Sequence, residues 1–317
     1  MKKFIAKRIL WMIPVALGVA ILIFTILYFT PGDPAVMILG SSATMEDRLA
    51  LRTEMGLEDP YMIQLLRFLK QTFVEFDLGT SYFTGKDVMG EIIVRFPNTL
   101  ALAFGSMVLS CLIGIPLGIN AAMNQNRLGD RISMIIALIG ISMPAFWVGL
   151  LLALVFALQL GWLPPSGIGT WKHFILPVLA VSLSGIANLA RLVRSSMLDV
   201  IRADYVTTAR AKGVKKLSAV YSHALPNALI PVITQVGTTF GKTLGGTIVI
   251  ETVFGIPGIG TYMLSAVNNR DYPIVQGCVV FLAIAFSIVV LLVDIIYAYV
   301  DPRIKARYEA KKEAKKA

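Results

Sequence analysis

Residues 204–231 read DYVTTARAKGVKKLSAVYSHALPNALIP, a polar, basic stretch set between long apolar runs. Such a segment belongs on a membrane surface rather than inside the membrane. Asp204 is placed to cap a helix, because its carboxylate can accept from an unpaired amide of the first turn. Tyr205, Ala209 and Lys212 follow at helical spacing. Gly213 suits the left-handed position just past a helix end. A second short helix from about Lys215 is expected to end near Pro226. The stretch reads as two short helices around a glycine hinge. The bland alternative is a basic loop whose arginines and lysines meet lipid phosphates, and such a loop need not carry this punctuation.

The chain around it has 317 residues, 56% of them hydrophobic and 15% charged, with a mean hydropathy of +0.74. A soluble domain carries about 25% charged residues, so this composition points to a multi-span membrane protein. A spanning helix needs about 20 mostly apolar residues. The runs Ile9–Phe29, Thr99–Met123, Ile132–Leu158, Phe174–Leu192, Ala228–Ile250 and Ile274–Tyr297 are six candidates, the third with Pro144 placed to kink it. The first has the positive start of a signal peptide but no small-residue cleavage site, and reads as a retained helix. Cys111 and Cys278 fall in or beside apolar runs, as small buried side chains rather than a disulfide or metal pair.

The formal charge of +10 could suggest nucleic acid, but topology explains it better. Lysine and arginine in short flanking segments favour the cytoplasm. They gather before the first span, between spans two and three (Arg127, Arg131), between four and five (Arg191 to Lys216), and after span six (Arg303 to Lys316). Six spans with both termini cytoplasmic put all these clusters on one side, together with residues 204–231. Four divisions follow, beginning with a first spanning helix over 1–30, an extracytoplasmic insertion over 31–97, and a five-helix core over 98–300. The core carries a cytoplasmic loop over about 199–227, and a basic cytoplasmic tail covers 301–317. In the insertion, Thr44 with Asp47 reads as a capping-box-like start and Gly56 as a stop. Tyr61 to Phe76 is a second amphipathic stretch, and Val88 to Phe96 a short third one leading into Pro97.

The glycine at 213, with Leu225-Pro226 twelve residues later, resembles the EAA loop of ABC importer permeases. That pattern has Glu-Ala-Ala, a glycine four residues after the second alanine, and then Ile-x-Leu-Pro. Here the first positions are Thr207, Thr208 and Ala209, and His223 stands where isoleucine is usual. DYVTTARAKG followed by HALPNALIPVI is similar in particular to the dipeptide, oligopeptide and nickel branch. FTPGDP, GLEDPYMIQ, DLGTS, RFPNTLALA and the segment Glu251–Gly277 extend the similarity over nearly the whole chain. The resemblance implies an all-α, type I permease fold and a non-catalytic transport subunit of a bacterial plasma membrane. It also implies a second permease, two ATPases that bind ATP and Mg²⁺, and an extracytoplasmic binding protein. The residues it assigns to ATPase coupling are Asp204, Tyr205, Thr208, Ala209, Ala211, Gly213, His223, Leu225 and Pro226.

The residues themselves offer little catalytic chemistry. The sequence has no GxxxxGK[ST] phosphate loop and no GxSxG, and His173 and His223 sit at membrane boundaries. An intramembrane hydrolase therefore has little support. A stand-alone secondary transporter would explain six spans but neither the glycine and Leu-Pro punctuation nor the lack of charges poised for proton relay. An intramembrane charge marks a pathway by default. Lys242 is such a charge, with Gly245, Gly246 and Glu251 beside it. Either these four line a translocation path, or Lys242 pairs with an acid of a neighbouring subunit and the glycines are close helix contacts.

Overall fold

The computed structural model describes residues 2–40 and 42–300, so the basic tail over 301–317 lies outside the described residues. Apart from one isolated bridge between Thr80 and Asp87, the described residues form helices and turns without a strand.

Helix α1, Lys2–Phe29, is uncharged from Ile9 onward. It packs on the last helix of the chain, α14 (Tyr272–Val300). Near one end the two are tied by Arg8 and Asp294, 2.9 Å apart. The insertion then folds on α1. Asp33 caps α2 (Pro34–Leu39) and Thr44 caps α3 (Met45–Glu54) by accepting from the Asp47 amide at 3.1 Å. Gly56, at φ +67°, turns the chain after α3. The next helix, α4 (Tyr61–Phe73), stops three residues short of the expected Phe76, which lies at φ +55°. Between α1 and α4, Phe24 stacks on Phe68, and Tyr61 meets Phe24 tilted and Tyr28 edge-on.

The expected short helix before Pro97 and the span after it are one helix, α5 (Val88–Met123), of 36 residues. Proline is tolerated within a long membrane helix where neighbouring elements hold it. Here the next residues are anchored: the Asn98 amide donates to the Pro257 carbonyl at 3.0 Å, and Thr99 is bonded on both sides. Further along, α5 lies against α8 (Ile175–Ile201) through Gly114 and Gly118. A Cβ on Gly118 would come within 2.6 Å of the Ala190 carbonyl oxygen. Small residues let two membrane helices approach this closely.

Pro144 does more than kink the third span. Helix α6 (Leu128–Ser142) stops, and α7 (Ala145–Leu152), continued by a π turn over Ala153–Gln159, leaves at 100° to it. A proline drives the residue before it out of the helical region, and Met143 is extended at ψ 124°. Conversely, α8 runs on to Ile201 rather than ending near Leu192. Its last turns are held by burial of Val193 and Met197 in a core with Val206, Val220 and Ala224.

After α8 come α9 (Asp204–Ala211), the single turn α10 (Lys216–Ser218), and a π turn over Ala219–Ala224. Helix α11 follows over Leu225–Gly246. The second short helix therefore does not end near Pro226. Pro226 sits in the first turn of α11, where a missing N–H costs least, and the wider π turn before it leaves room for the ring. The fifth span is also interrupted, at Thr247, before α12 (Ile248–Val253) and α13 (Ile259–Asn269).

Among the described residues four helices are long and apolar enough to cross a membrane, and a fifth span results if the bent pair counts as one. The 22-residue α11 is not among them, its sequence carrying threonines, glycines and Lys242. One end of the bundle collects the starts of α1, α6 and α11 and the ends of α5, α8 and α14, together with Arg127, Arg131 and residues 191–216; we call it the basic end. The insertion, α12 and α13 lie at the other end. Cys111 is half-buried and Cys278 buried, both as free thiols.

Candidate coupling surface and translocation face

At the basic end, α9 is pinned by one side chain. Val206 is buried among Met197, Ala219, Val220 and Ala224, Ala209 is half-buried, and the other side chains of the helix are exposed. The cap lies one residue earlier than expected. Ala203 is the cap residue and Asp204 is the first helical residue, with no side-chain cap bond. Its carboxylate still sits where the helix dipole favours a negative charge. Tyr205 lies outside as well, and its hydroxyl accepts from the Asn227 amide at 3.1 Å. The same amide also donates to the His223 carbonyl at 3.3 Å. Tyr205, His223 and Asn227 thus tie α9 to the start of α11.

Gly213 closes α9 with φ +89°. Its N–H donates to the Arg210 carbonyl at 3.0 Å and the Val214 N–H to that of Ala209 at 3.2 Å. Nothing lies within 4 Å of where a Cβ would stand, so the backbone conformation, not crowding, calls for glycine. Thr208, Ala211, His223 and Pro226 are exposed, and Ala209 and Leu225 half-buried. Leu217 and Tyr221 are more than half exposed beside Arg210, Lys212, Lys215 and Lys216. A shallow depression next to them is lined by Thr207, Arg210, Ala211, Gly213, Val214 and Lys216.

Helix α11 has two faces of different character. On one, Gly237 and Gly241 meet α14, where a Cβ on Gly241 would lie 2.6 Å from the Phe286 ring. On the other, Thr234, Gln235, Lys242, Gly245 and Gly246 are exposed. Open space surrounds both Gly245 and Gly246, so within this chain they are not helix contacts. Among the described residues no carboxylate reaches ion-pair distance of Lys242.

Glu251 does not share that open face. It is wholly buried and accepts from the Thr99 hydroxyl at 2.7 Å, the Thr247 hydroxyl at 2.9 Å and the Thr261 amide at 3.0 Å. Thr99 in turn accepts from the Ile259 amide at 2.9 Å. The carboxylate therefore binds α5, α12 and the first turn of α13 together. In this structure Glu251 therefore lies off the open face that carries Lys242 and the two glycines, and it ties three helices together. Two buried hydroxyls and a partly buried backbone amide aimed at one acceptor explain why it sits there.

The sequence reading missed an ion pair at the basic end. Asp130 on α6 accepts from Arg194 of α8 through both oxygens, at 2.5 and 2.7 Å. The Asn126 amide donates to it as well, at 2.9 Å. A lone acid between Arg127 and Arg131, in an otherwise basic turn, was the available signal. Elsewhere, His173 shares its Nδ1 with the Thr170 side chain at 3.0 Å, a loop-bracing contact. Among the described residues no three His, Cys, Asp or Glu side chains gather closely enough to hold a metal ion.

Residues 114–306 match the family described as binding-protein-dependent transport system inner membrane component, and residues 1–103 match its N-terminal counterpart. The chain is 42% identical over 305 residues to the glutathione transport system permease protein GsiC of Salmonella paratyphi A, covering 96% of this chain and 99% of that one. With the dipeptide transport system permease protein DppB of Alkalihalophilus pseudofirmus it shares 41% over 327 residues, 94% and 98% of the two chains. In fold it is similar to a chain of the MetNI methionine ABC transporter in inward-facing conformations. The TM-score is 0.55 at 18% identity, covering 67% of this chain and 97% of that one. Matched along nearly its full length, this chain belongs to the binding-protein-dependent transport system inner membrane components: it is a multi-pass ABC importer permease of the peptide branch, in a bacterial inner membrane.

Proposed function

We propose that the chain is one of two homologous permease subunits of an ATP-driven importer, and that its cargo is a di- or oligopeptide, with nickel or metallophore chelates as the branch's other cargoes. The partners in this reading are a second permease, two ATPases that bind ATP and Mg²⁺, an extracytoplasmic binding protein, and the surrounding lipid. Six spans follow when the bent pair over 128–159 and the polar helix α11 each count as one. The lysine- and arginine-rich end then faces the cytoplasm, with both termini there and the insertion outside.

One observation carries the reading: α9, Gly213 and α10 form an exposed knob held to the bundle by one buried side chain, Val206, and bonded to the start of α11. An ATPase that engages Ala209, Ala211, Leu217 and Tyr221 grips a lever whose base is the end of α8 and the root of α11. ATP binding would move the lever, and contacts that differ between the two ATPase states would shift the spans between inward and outward access. The open face of α11, with Lys242, Gly245 and Gly246, is the part of the chain suited to line the path, and relatives named for glutathione and dipeptides favour a peptide there. Lys242→Met tests that part: a drop in peptide uptake with normal assembly supports it, and unchanged uptake discards it. Purification of the chain from native membranes in mild detergent tests the whole. A second permease and two ATPase copies are the expected companions. Recovery of the chain alone, under conditions that preserve other complexes, would favour a secondary transporter.

A further inference from the structure

We propose that Asp130 and Arg194 are positioning residues that carry movement of the α9 knob into α5 and α6, a role that rests on the coupling reading above. The pair lies at the junction where that movement must pass. Arg194 is on the last turns of α8, ten residues before α9 begins at Asp204. Asp130 is on the first turn of α6, and its side chain is 3% exposed against 24% for Arg194. The two-pronged contact fixes a guanidinium plane against a carboxylate plane, so it constrains rotation as well as distance.

The Asn126 amide, at φ +65°, donates to the same carboxylate. That bond makes Asp130 the fixed point of the tight α5–α6 turn as well. A second bond runs parallel to it: Arg202 donates to the Gln125 side chain at 2.7 Å. Two arginines of the α8 end thus hold two places on one turn. Between them, Ile119 and Ala122 of α5 share a core with Met197 and Val206.

An apolar packing contact resists separation but lets the two surfaces slide and rotate, because it has no fixed direction. A buried carboxylate with two charge-assisted bonds resists being pulled away, because separation strands a charge out of water. The turn is therefore obliged to follow α8 in both directions. Without the pair, the α5–α6 turn keeps only the Arg202–Gln125 bond and apolar packing on the end of α8, so less of the knob's movement reaches it and uptake per ATP falls.

The test uses the complete complex in proteoliposomes: this chain, its permease partner, the ATPases and the loaded binding protein. Uptake per ATP hydrolysed is compared with ATPase subunit stoichiometry in the purified complex. Asp130→Asn keeps the shape and removes the charge. It is expected to lower uptake per ATP by roughly fivefold or more, the lower range of ordinary coupling energies, at unchanged stoichiometry. Arg194→Lys keeps the charge but not the fork, and should fall between Asp130→Asn and the parent. Uptake per ATP equal to the parent's in Asp130→Asn overturns the proposal. So does a loss explained by missing ATPase subunits, which would make the pair a folding element only. Should Asp130→Asn fail to accumulate, Arg194→Lys and Arg202→Ala decide the matter by the same ratio. Gly213→Pro, run alongside, separates the two claims: if it transports normally, coupling through the knob is itself wrong. If it is dead while Asp130→Asn is normal, only the strut fails.

Discussion

The basic end and the insertion end of this protein each interrupt the membrane helices with short helices punctuated by glycine, yet they treat their polar groups in opposite ways. At α12–α13 Gly258 and Gly260 are packed shut. A Cβ on Gly260 would lie 2.8 Å from both the Glu251 carboxylate and the Ile248 Cα, and that carboxylate is used up by three donors of the same chain. At α9–α10 Gly213 has nothing near it, and Tyr205, Leu217, Tyr221 and the surrounding cations face outward. A segment whose polar groups are satisfied internally is architecture. One that is well formed yet leaves Leu217, Tyr221 and the neighbouring cations facing outward is, in the proposed reading, a surface for a partner.

The contrast can be broken from either side. The largest effect belongs to Gly213→Pro. A proline ring requires a negative φ where the chain has +89°, and it removes the bond to the Arg210 carbonyl. Peptide uptake is expected to fall to background, with membrane insertion unchanged on a fractionation assay; normal uptake would end the distinction. Glu251→Ala should act on stability instead. Leaving the buried donors without an acceptor costs about 1–3 kcal/mol apiece, read as a lower Tm of the detergent-solubilised protein. ATPase subunits should still copurify, and an unchanged Tm would show that Glu251 does not tie the helices together.

A matched pair of alanines sharpens the comparison. Gly260→Ala meets backbone at 2.8 Å and should cost about 1–3 kcal/mol through overpacking. Gly213→Ala meets nothing and should cost only the left-handed strain of about 1–2 kcal/mol, yet it should be the one that slows uptake. Reversal of those two readouts, Tm and transport, would contradict the assignment of the two ends. Tyr205→Phe is the mildest case. It loses the bond from Asn227 on an exposed surface, and a change of at most about 1 kcal/mol is expected, with a small fall in uptake.

How much of this was legible depended on the kind of signal. The knob was, because glycine at a positive φ and Leu-Pro at a fixed distance are local features of the chain. The helix caps at Thr44 and the turn at Gly56 were legible for the same reason. Misreadings came where a local rule met a tertiary one. Pro97 looked like a helix end, but bonds from Asn98 and Thr99 to distant residues carry α5 through it. Pro226 looked like another, yet it opens α11. Pro144 was underestimated, since nothing in the sequence distinguishes a kink from a 100° break. Glu251 is near Lys242 along the chain, but the break at Thr247 turns its side chain into the core. The Asp130–Arg194 pair spans 64 residues and has no periodicity to betray it; only the isolated acid among arginines hinted at it.

The most direct test of the central claim places a photo-crosslinking residue at Ala211, on the exposed rim of the knob, in a transport-competent complex. The control position is Phe83 in the insertion. Illumination is expected to join the chain to an ATPase subunit from position 211 and not from position 83. A complex that still transports but gives only lipid adducts, or none, from position 211 would show that the ATPase does not dock there.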